Sequence, residues 1–332
     1  MLLINAAAHF LVDAACAAAL FGSGAADMAM LLLLYNGLAF STQCLVGLLT
    51  DRTGGCVYFN SASCAVVALG VLLPLPPMVK AAVVGIGNSF FHVSAGTVTL
   101  TDSGGSAAPL GIFVAPGSLG LALGTLFPSY GRIFAVLLFI CAAAVLWAGM
   151  TRGERRSEAP ADTVSSPERG GLIAALLLIA VAARAVGGSA VAFPWKTGAA
   201  ATVIMALSVL AGKAAGGFIC DRLGAGWTAL ISIPAAALLI TFGADSIGLS
   251  LLGQFLLNLS MPVTLLLIYR ALPTEPGFAF GLAASALWPG TIAGQLIQGA
   301  GNFAKLWIPA CFLFGLAAII YGCKGEQHEK AS

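Results

Sequence analysis

Apolar residues run along this chain in blocks of about twenty, separated by short turns rich in glycine, proline and small polar residues. A bilayer core about 30 Å thick takes about 20 residues of helix, and that length picks out twelve predicted spans. They cover residues 3–21, 28–50, 58–75, 78–99, 107–127 and 131–150, then 171–191, 199–220, 226–242, 246–270, 277–298 and 303–323. One long polar stretch interrupts them, TRGERRSEAPADTVSSPERG (151–170), and reads as a linker. Short turns make neighbouring helices antiparallel. The expected architecture is therefore all-α: a six-helix bundle over 1–150, the linker 151–170, and a second six-helix bundle over 171–332.

Composition points to the same solvent. Hydrophobic residues make up 59% of the 332 positions and charged residues 8%, where soluble domains carry roughly 25% charge. A chain this poor in charge cannot cover itself against water, whereas lipid asks for an apolar exterior. The net charge of +2 comes with no basic run, so nucleic acid is not an expected partner. The eight cysteines are scattered without CxxC spacing and read as packing residues rather than disulfides or a zinc site. Met1 is not followed by a basic stretch, and no cleavable leader is expected.

Orientation follows the excess of Lys and Arg on cytoplasmic loops. With the linker cytoplasmic, that side holds Arg52, Arg152, Arg155, Arg156, Arg169, Arg222, Arg270, Lys324 and Lys330, against Lys80, Arg132, Lys196 and Lys305 opposite. Both termini then lie in the cytoplasm, and the plasma (inner) membrane is the expected location.

The chain also repeats. Residues 47–54 read GLLTDRTG and 217–224 read GFICDRLG, both G-x-x-x-D-R-x-G, 170 residues apart and each ending the second span of its half. The same offset relates Asn88 to Asn258, and Pro116-Gly117 matches Pro289-Gly290 with a shift of about three residues. Three landmarks in one order predict duplicated, pseudo-symmetric halves. In the motif, Gly47 and Gly217 allow close helix approach. The Asp51–Arg52 and Asp221–Arg222 pairs are expected to pair across helix ends and latch one conformation.

On these residues the sequence resembles the major facilitator superfamily. Its loop between the second and third helices matches Gly47, Asp51, Arg52 and Gly54, and the weaker second copy matches Gly217, Asp221, Arg222 and Gly224. A finer likeness joins GIGNSFFHVSAG (85–96) and GIFVAPGSLGLALG (111–124) to the fourth and fifth helices of fosmidomycin-resistance-type drug exporters. That likeness implies an antiporter, with Pro116, Gly117 and Gly120, and Pro289 and Gly290, as bending points of the fifth and eleventh helices. The fourth span lacks the arginine that many proton-driven exporters place there.

A charge near a bilayer centre costs about 2.5–3.5 kcal/mol on insertion scales, so each invites a functional reading. Three stand inside spans: Asp13, Arg184 and Lys213. His9 lies four residues before Asp13 on one helical face, and the pair is the candidate proton-coupling site. The offset carries Arg184 to position 14, which predicts Asp13 and Arg184 facing one another across a central path. Arg184 offers a donor fork suited to carboxylate or phosphonate. Lys213, its counterpart Gln43, and His92, Asn88 and Asn258 complete the candidate substrate contacts. Phe10, Tyr35, Phe91, Phe113, Trp195 and Trp288 are available as apolar walls. His9, Asp13 and Cys16 share i, i+4, i+7 spacing, but one helix rarely completes a metal site, and none is assigned.

The predicted function is alternating-access secondary transport of a small anionic or zwitterionic organic solute, as proton-coupled efflux by a monomer. Proton-coupled uptake is the alternative, and a non-transporting sensor or assembly factor is the alternative of another class. No phosphate-binding G-x-x-x-x-G-K-[ST] loop, HExxH or framed G-x-S-x-G occurs, so no cofactor and no enzymatic activity are expected.

Overall fold

A computed structural model describes residues 1–152, 163, 166–298 and 302–329. Most of the linker, with Arg155 and Arg156, lies outside the described residues, as does Lys330. The first half comprises α1 (Leu2–Phe21), α2 (Met28–Asn36), α3 (Gln43–Thr53), α4 (Cys56–Leu72), α5 (Pro77–Asp102), α6 (Ala108–Val114), α7 (Pro116–Leu126) and α8 (Gly131–Arg152). The second comprises α9 (Pro167–Ser189), α10 (Gly198–Leu223), α11 (Ala225–Phe242), α12 (Ile247–Ala271), α13 (Pro276–Ser285), α14 (Leu287–Ile297) and α15 (Asn302–Glu329). Each half thus contains six spans, because three of the twelve are interrupted.

Each interruption has a local cause. A π-helical turn at Gly37–Ser41 joins α2 to α3. Pro116 has no N–H to continue a helix and separates α6 from α7 at Ala115. The eleventh span breaks at Ala286, between α13 and α14. Among the described residues, eleven spans are long and apolar enough to cross a bilayer. The remaining one, α4, has 17 residues and reaches only about 26 Å. It stops at Leu72 rather than 75 because Pro74 pushes Leu73 into an extended conformation.

The first half packs α1 against α4, α5, α7 and α8, and the second packs α9 against α12, α14 and α15. A few internal polar bonds fix neighbours, such as Asn60 Nδ2 to Asn5 Oδ1 at 3.0 Å and Ser61 Oγ to the Ala142 carbonyl at 2.9 Å. The halves meet through a swapped pair of contacts. The second span, as α3, lies on the eleventh, as α13, while the eighth, α10, lies on the fifth, as α6 and α7.

The repeated G-x-x-x-D-R-x-G also ends its helices in one way. Gly54 and Gly224 take φ +68° and +83°, a region that side-chain-bearing residues rarely enter, and each closes its helix there. The last glycine of the motif is therefore a helix stop, and it leaves the preceding aspartate on the final turn.

Candidate functional site

At that final turn the aspartates cross to the other half. Asp51 accepts the Gly277 N–H (2.8 Å) and the Phe278 N–H (2.7 Å), capping the start of α13. Asp221 accepts the Ala107 N–H (2.6 Å), the Ala108 N–H (3.0 Å) and the Ser106 hydroxyl at the start of α6. The first four N–H groups of a helix lack internal partners and carry its positive dipole end, so a carboxylate fits both sites. Gly47 and Gly217 make room: a Cβ on either would strike the backbone of Gly277 or of Ala107 and Ala108. The expected pairing of Asp51 and Asp221 with arginines is corrected here. Arg52 and Arg222 are exposed and form no ion pair among the described residues, because the helix N-termini satisfy the carboxylates first.

These contacts close one end of the molecule. Above them, toward the ends that carry Thr125, Lys196 and Thr202, a cavity of about 610 Å³ opens between the halves. Its walls include His9, Asp13, Tyr35, Gln43, Asn88 and His92 from the first half, and Arg184, Lys196, Lys213 and Thr264 from the second. Among the aromatics expected as walls, Tyr35 is present, together with Phe40 and Phe280, which the pattern did not single out. Trp288 instead stacks on Phe40 across the halves (6.4 Å, 10°), and Trp195 donates to Ser250 Oγ at 2.8 Å.

Acid and imidazoles gather on the first-half wall. His9 Nε2 lies 3.4 Å from Asp13 Oδ2, and His92 Nε2 3.7 Å from Asp13 Oδ1. The two Nε2 atoms are 3.0 Å apart. His9 Nδ1 faces the Phe113 carbonyl at 2.8 Å, and His92 Nδ1 the Asn88 carbonyl at 3.0 Å. Asn88 Nδ2 donates to Asp13 Oδ1 at 3.3 Å. Glycine again sets the spacing, since a Cβ on Gly117 would collide with both Asp13 and His9. Gly120 and Gly124 bring α7 onto the Phe10 and Ala14 carbonyls, and Gly290 and Gly294 bring α14 onto those of Ala182 and Val186. Gly120 and Gly290 are thus packing faces. The breaks beside them fall at Ala115, before Pro116, and at Ala286, three residues before Pro289.

Asp13 and Arg184 face the cavity from opposite halves, as the repeat predicts; among the described residues the ion partners of Asp13 are His9 and His92. Cys16 is not part of the cluster: its thiol faces the Val84 carbonyl at 3.7 Å, and His92 takes the third place. One further expectation is corrected, that of Asn258 as a substrate contact: it is off the cavity wall. It lies in the seam where Gly212 lets α10 approach α12, with its Nδ2 donating to the Gln254 carbonyl at 2.8 Å.

On the opposite wall Lys213 is near enough to both Asp13 and Arg184 for their charges to act on one another. Arg184 Nη1 is buried and finds no hydrogen-bond partner among the described residues. Gln43 donates its amide to the Ala39 carbonyl at 2.7 Å and leaves Oε1 buried and equally unmatched. Two unmatched polar atoms beside one cavity are costly unless something completes them, at about 1–3 kcal/mol each.

No family model matches the sequence, and no curated protein is similar to it at the level of sequence. Many solved structures are similar in fold, including the following two. One is a single-substitution variant of the E. coli fucose:proton symporter FucP (TM-score 0.66, 12% identity, 97% of this chain and 98% of that one). The other is FucP, a major facilitator superfamily transporter, in its outward conformation (TM-score 0.64, 13% identity, 97% and 98%). The chain thus has the major facilitator superfamily fold, two pseudo-symmetric six-helix bundles over its whole length.

Proposed function

We propose that this protein is a secondary transporter of the major facilitator type, embedded in the plasma (inner) membrane and working by alternating access on a small anionic or zwitterionic organic solute. The observation that carries the reading is the cavity itself. It lies between two halves, is shut at one end by paired aspartate caps, and is open at the other. With the linker and termini cytoplasmic, the state described is outward-open. Arg184 and Lys213 supply positive charge for a carboxylate or phosphonate, and the free acceptor of Gln43 suits an amine or hydroxyl on the same solute. Asp13 with His9 is assigned the proton-coupling role, His92 and Asn88 holding the carboxylate in place. Asn258 has no assigned contact.

Proteoliposome flux tests this. Wild-type protein should accumulate a labelled anion under an imposed pH gradient, Asp13→Asn should abolish the gradient's effect, and Arg184→Ala should weaken the anion's affinity. Unchanged gradient-driven flux in Asp13→Asn would remove the coupling assignment. The likeness of residues 85–96 and 111–124 to fosmidomycin-resistance-type exporters favours export by antiport. The fold similarity to a proton symporter favours a second reading, import with the proton. Flux measured with the gradient in each orientation separates them.

A further inference from the structure

We infer that His9, His92 and Asp13 form a binding site for a divalent transition-metal ion of the Zn²⁺ class, facing the cavity. The inference does not depend on transport and goes beyond it.

The tautomers carry the argument. A carbonyl oxygen only accepts, so the Nδ1 atoms facing Phe113 O and Asn88 O each carry their hydrogen. In the neutral imidazoles both Nε2 atoms are then bare lone pairs. They point at one another across 3.0 Å, with the Asp13 carboxylate 3.4 and 3.7 Å away. Two bare nitrogens and a carboxylate gathered within 4.8 Å of one another repel unless a cation, a proton or a metal ion, lies among them. A histidine whose Nδ1–H is tied to a carbonyl, leaving Nε2 free, is also the arrangement that orients metal-binding imidazoles.

Size fits as well. Zn²⁺ bonds to imidazole nitrogen and carboxylate oxygen are about 2.0–2.2 Å, which in a tetrahedron separates the ligand atoms by about 3.3–3.5 Å. The 3.4 and 3.7 Å separations run to the two different oxygens of Asp13, and the Nε2–Nε2 separation of 3.0 Å is shorter than that value. One ligand atom from each of the three residues lies within 4.8 Å of the others, so an ion would need to draw the carboxylate inward. Two imidazoles and one carboxylate leave a fourth position, and these residues line the cavity, so that position is reachable by water or solute. Two nitrogens and one oxygen suit Zn²⁺, Co²⁺ or Ni²⁺ over Ca²⁺ or Mg²⁺, which prefer oxygen alone. Gly117 leaves the space that lets Asp13 and His9 approach the fifth span.

The test is metal binding by the purified full chain in detergent, with no transport step. Co²⁺ should give the visible absorption of a four-coordinate nitrogen–oxygen site, and Zn²⁺ should displace it one for one. His92→Gln and His9→Gln should each weaken binding by at least the roughly 10–100-fold that loss of supporting residues costs metal sites. X-ray absorption on Zn²⁺-loaded wild type should show two imidazoles and no sulfur, a readout that does not depend on any variant folding. No Co²⁺ spectrum, sulfur in the ion's shell, or binding unchanged from wild type in both variants overturns the proposal. Each of those results leaves the flux experiments standing, and failure of flux leaves this one standing.

Discussion

Replacing Asp51 by asparagine keeps the shape of the cap on α13 but removes its charge. The carboxylate accepts two N–H bonds, from Gly277 and Phe278, and a bond to a charged acceptor contributes about 1.5–3 kcal/mol. Asparagine retains one acceptor oxygen, so one of the two bonds goes, together with the charge–dipole attraction of about 0.3–1 kcal/mol. Asp51 is half-buried, and solvent will recover part of this; about 1.4–2 kcal/mol is the expected net loss, roughly a 10- to 30-fold rise in opening of the closed end. Hydrogen exchange followed by mass spectrometry reads that opening at two places, the first turn of α13 and the first turn of α6. If the halves rock as bodies, releasing either cap frees both ends. Asp51→Asn should then speed exchange at α6, whose own cap from Asp221 is untouched. The double variant with Asp221→Asn should speed both segments further, by about the product of the single effects. Faster exchange confined to α13 in Asp51→Asn would refute the latch and leave two independent local caps.

Other substitutions probe the remaining layers. Gly120→Val pushes a branched side chain into the Phe10 backbone and should lower thermal stability by about 1–3 kcal/mol or more, measured by unfolding in detergent. Trp195→Phe removes the bond to Ser250 and should cost about 1 kcal/mol in the same assay. Arg184→Lys keeps a charge but not the fork, and should weaken binding of a planar carboxylate more than of chloride in a competition assay.

The spans were legible in the sequence because lipid admits only helices with apolar surfaces, and a scan of block lengths finds these without knowledge of packing. The helices end at Thr53 and Leu223, three residues past the predicted ends at 50 and 220, because Gly54 and Gly224 take a positive φ. The partners of Asp51 and Asp221 were not legible. A charged neighbour in sequence, Arg52, competes poorly with a helix N-terminus supplied by a segment 226 residues away, and Pro276 at the start of α13 was the one available signal. Asp13 and Arg184 face one cavity from opposite halves, as the repeat implied, but not from equivalent positions. Gly120 sits on Phe10 and Gly290 on Ala182, so the fifth and eleventh helices differ by 290 − 120 = 170 but the first and seventh by 182 − 10 = 172. Two residues turn a helix by about 200°, which carries Arg184 to the equivalent of Val12 rather than 14. His92 meeting His9 depends on where α5 crosses α1, and no spacing within either helix encodes that. Asn258 failed because the two halves share an architecture and not their side-chain surroundings: it sits in the α10–α12 seam with its amide on the Gln254 carbonyl.

That asymmetry has a consequence for how the two walls work together. The first-half wall collects cation ligands, His9, Asp13 and His92, while the second-half wall carries Arg184 and Lys213. A cation held by the first wall adds positive charge to a region already facing two cations, and an anion held by the second wall removes it. On the two proposals above, the occupants would attract and each would relieve the repulsion the other wall exerts, so their binding should be cooperative and, by linkage, reciprocal. Two unit charges about 6 Å apart at an effective dielectric of about 20 interact by about 2.8 kcal/mol. After screening by an open cavity, about 1–2 kcal/mol remains, a 5- to 30-fold effect. Anion affinity measured at one pH with and without saturating Zn²⁺ should therefore rise by that factor in wild type. It should not change in His9→Gln combined with His92→Gln. An anion that binds more weakly with Zn²⁺ present would mean that the two compete for one wall, and the division of the cavity between its halves would be wrong.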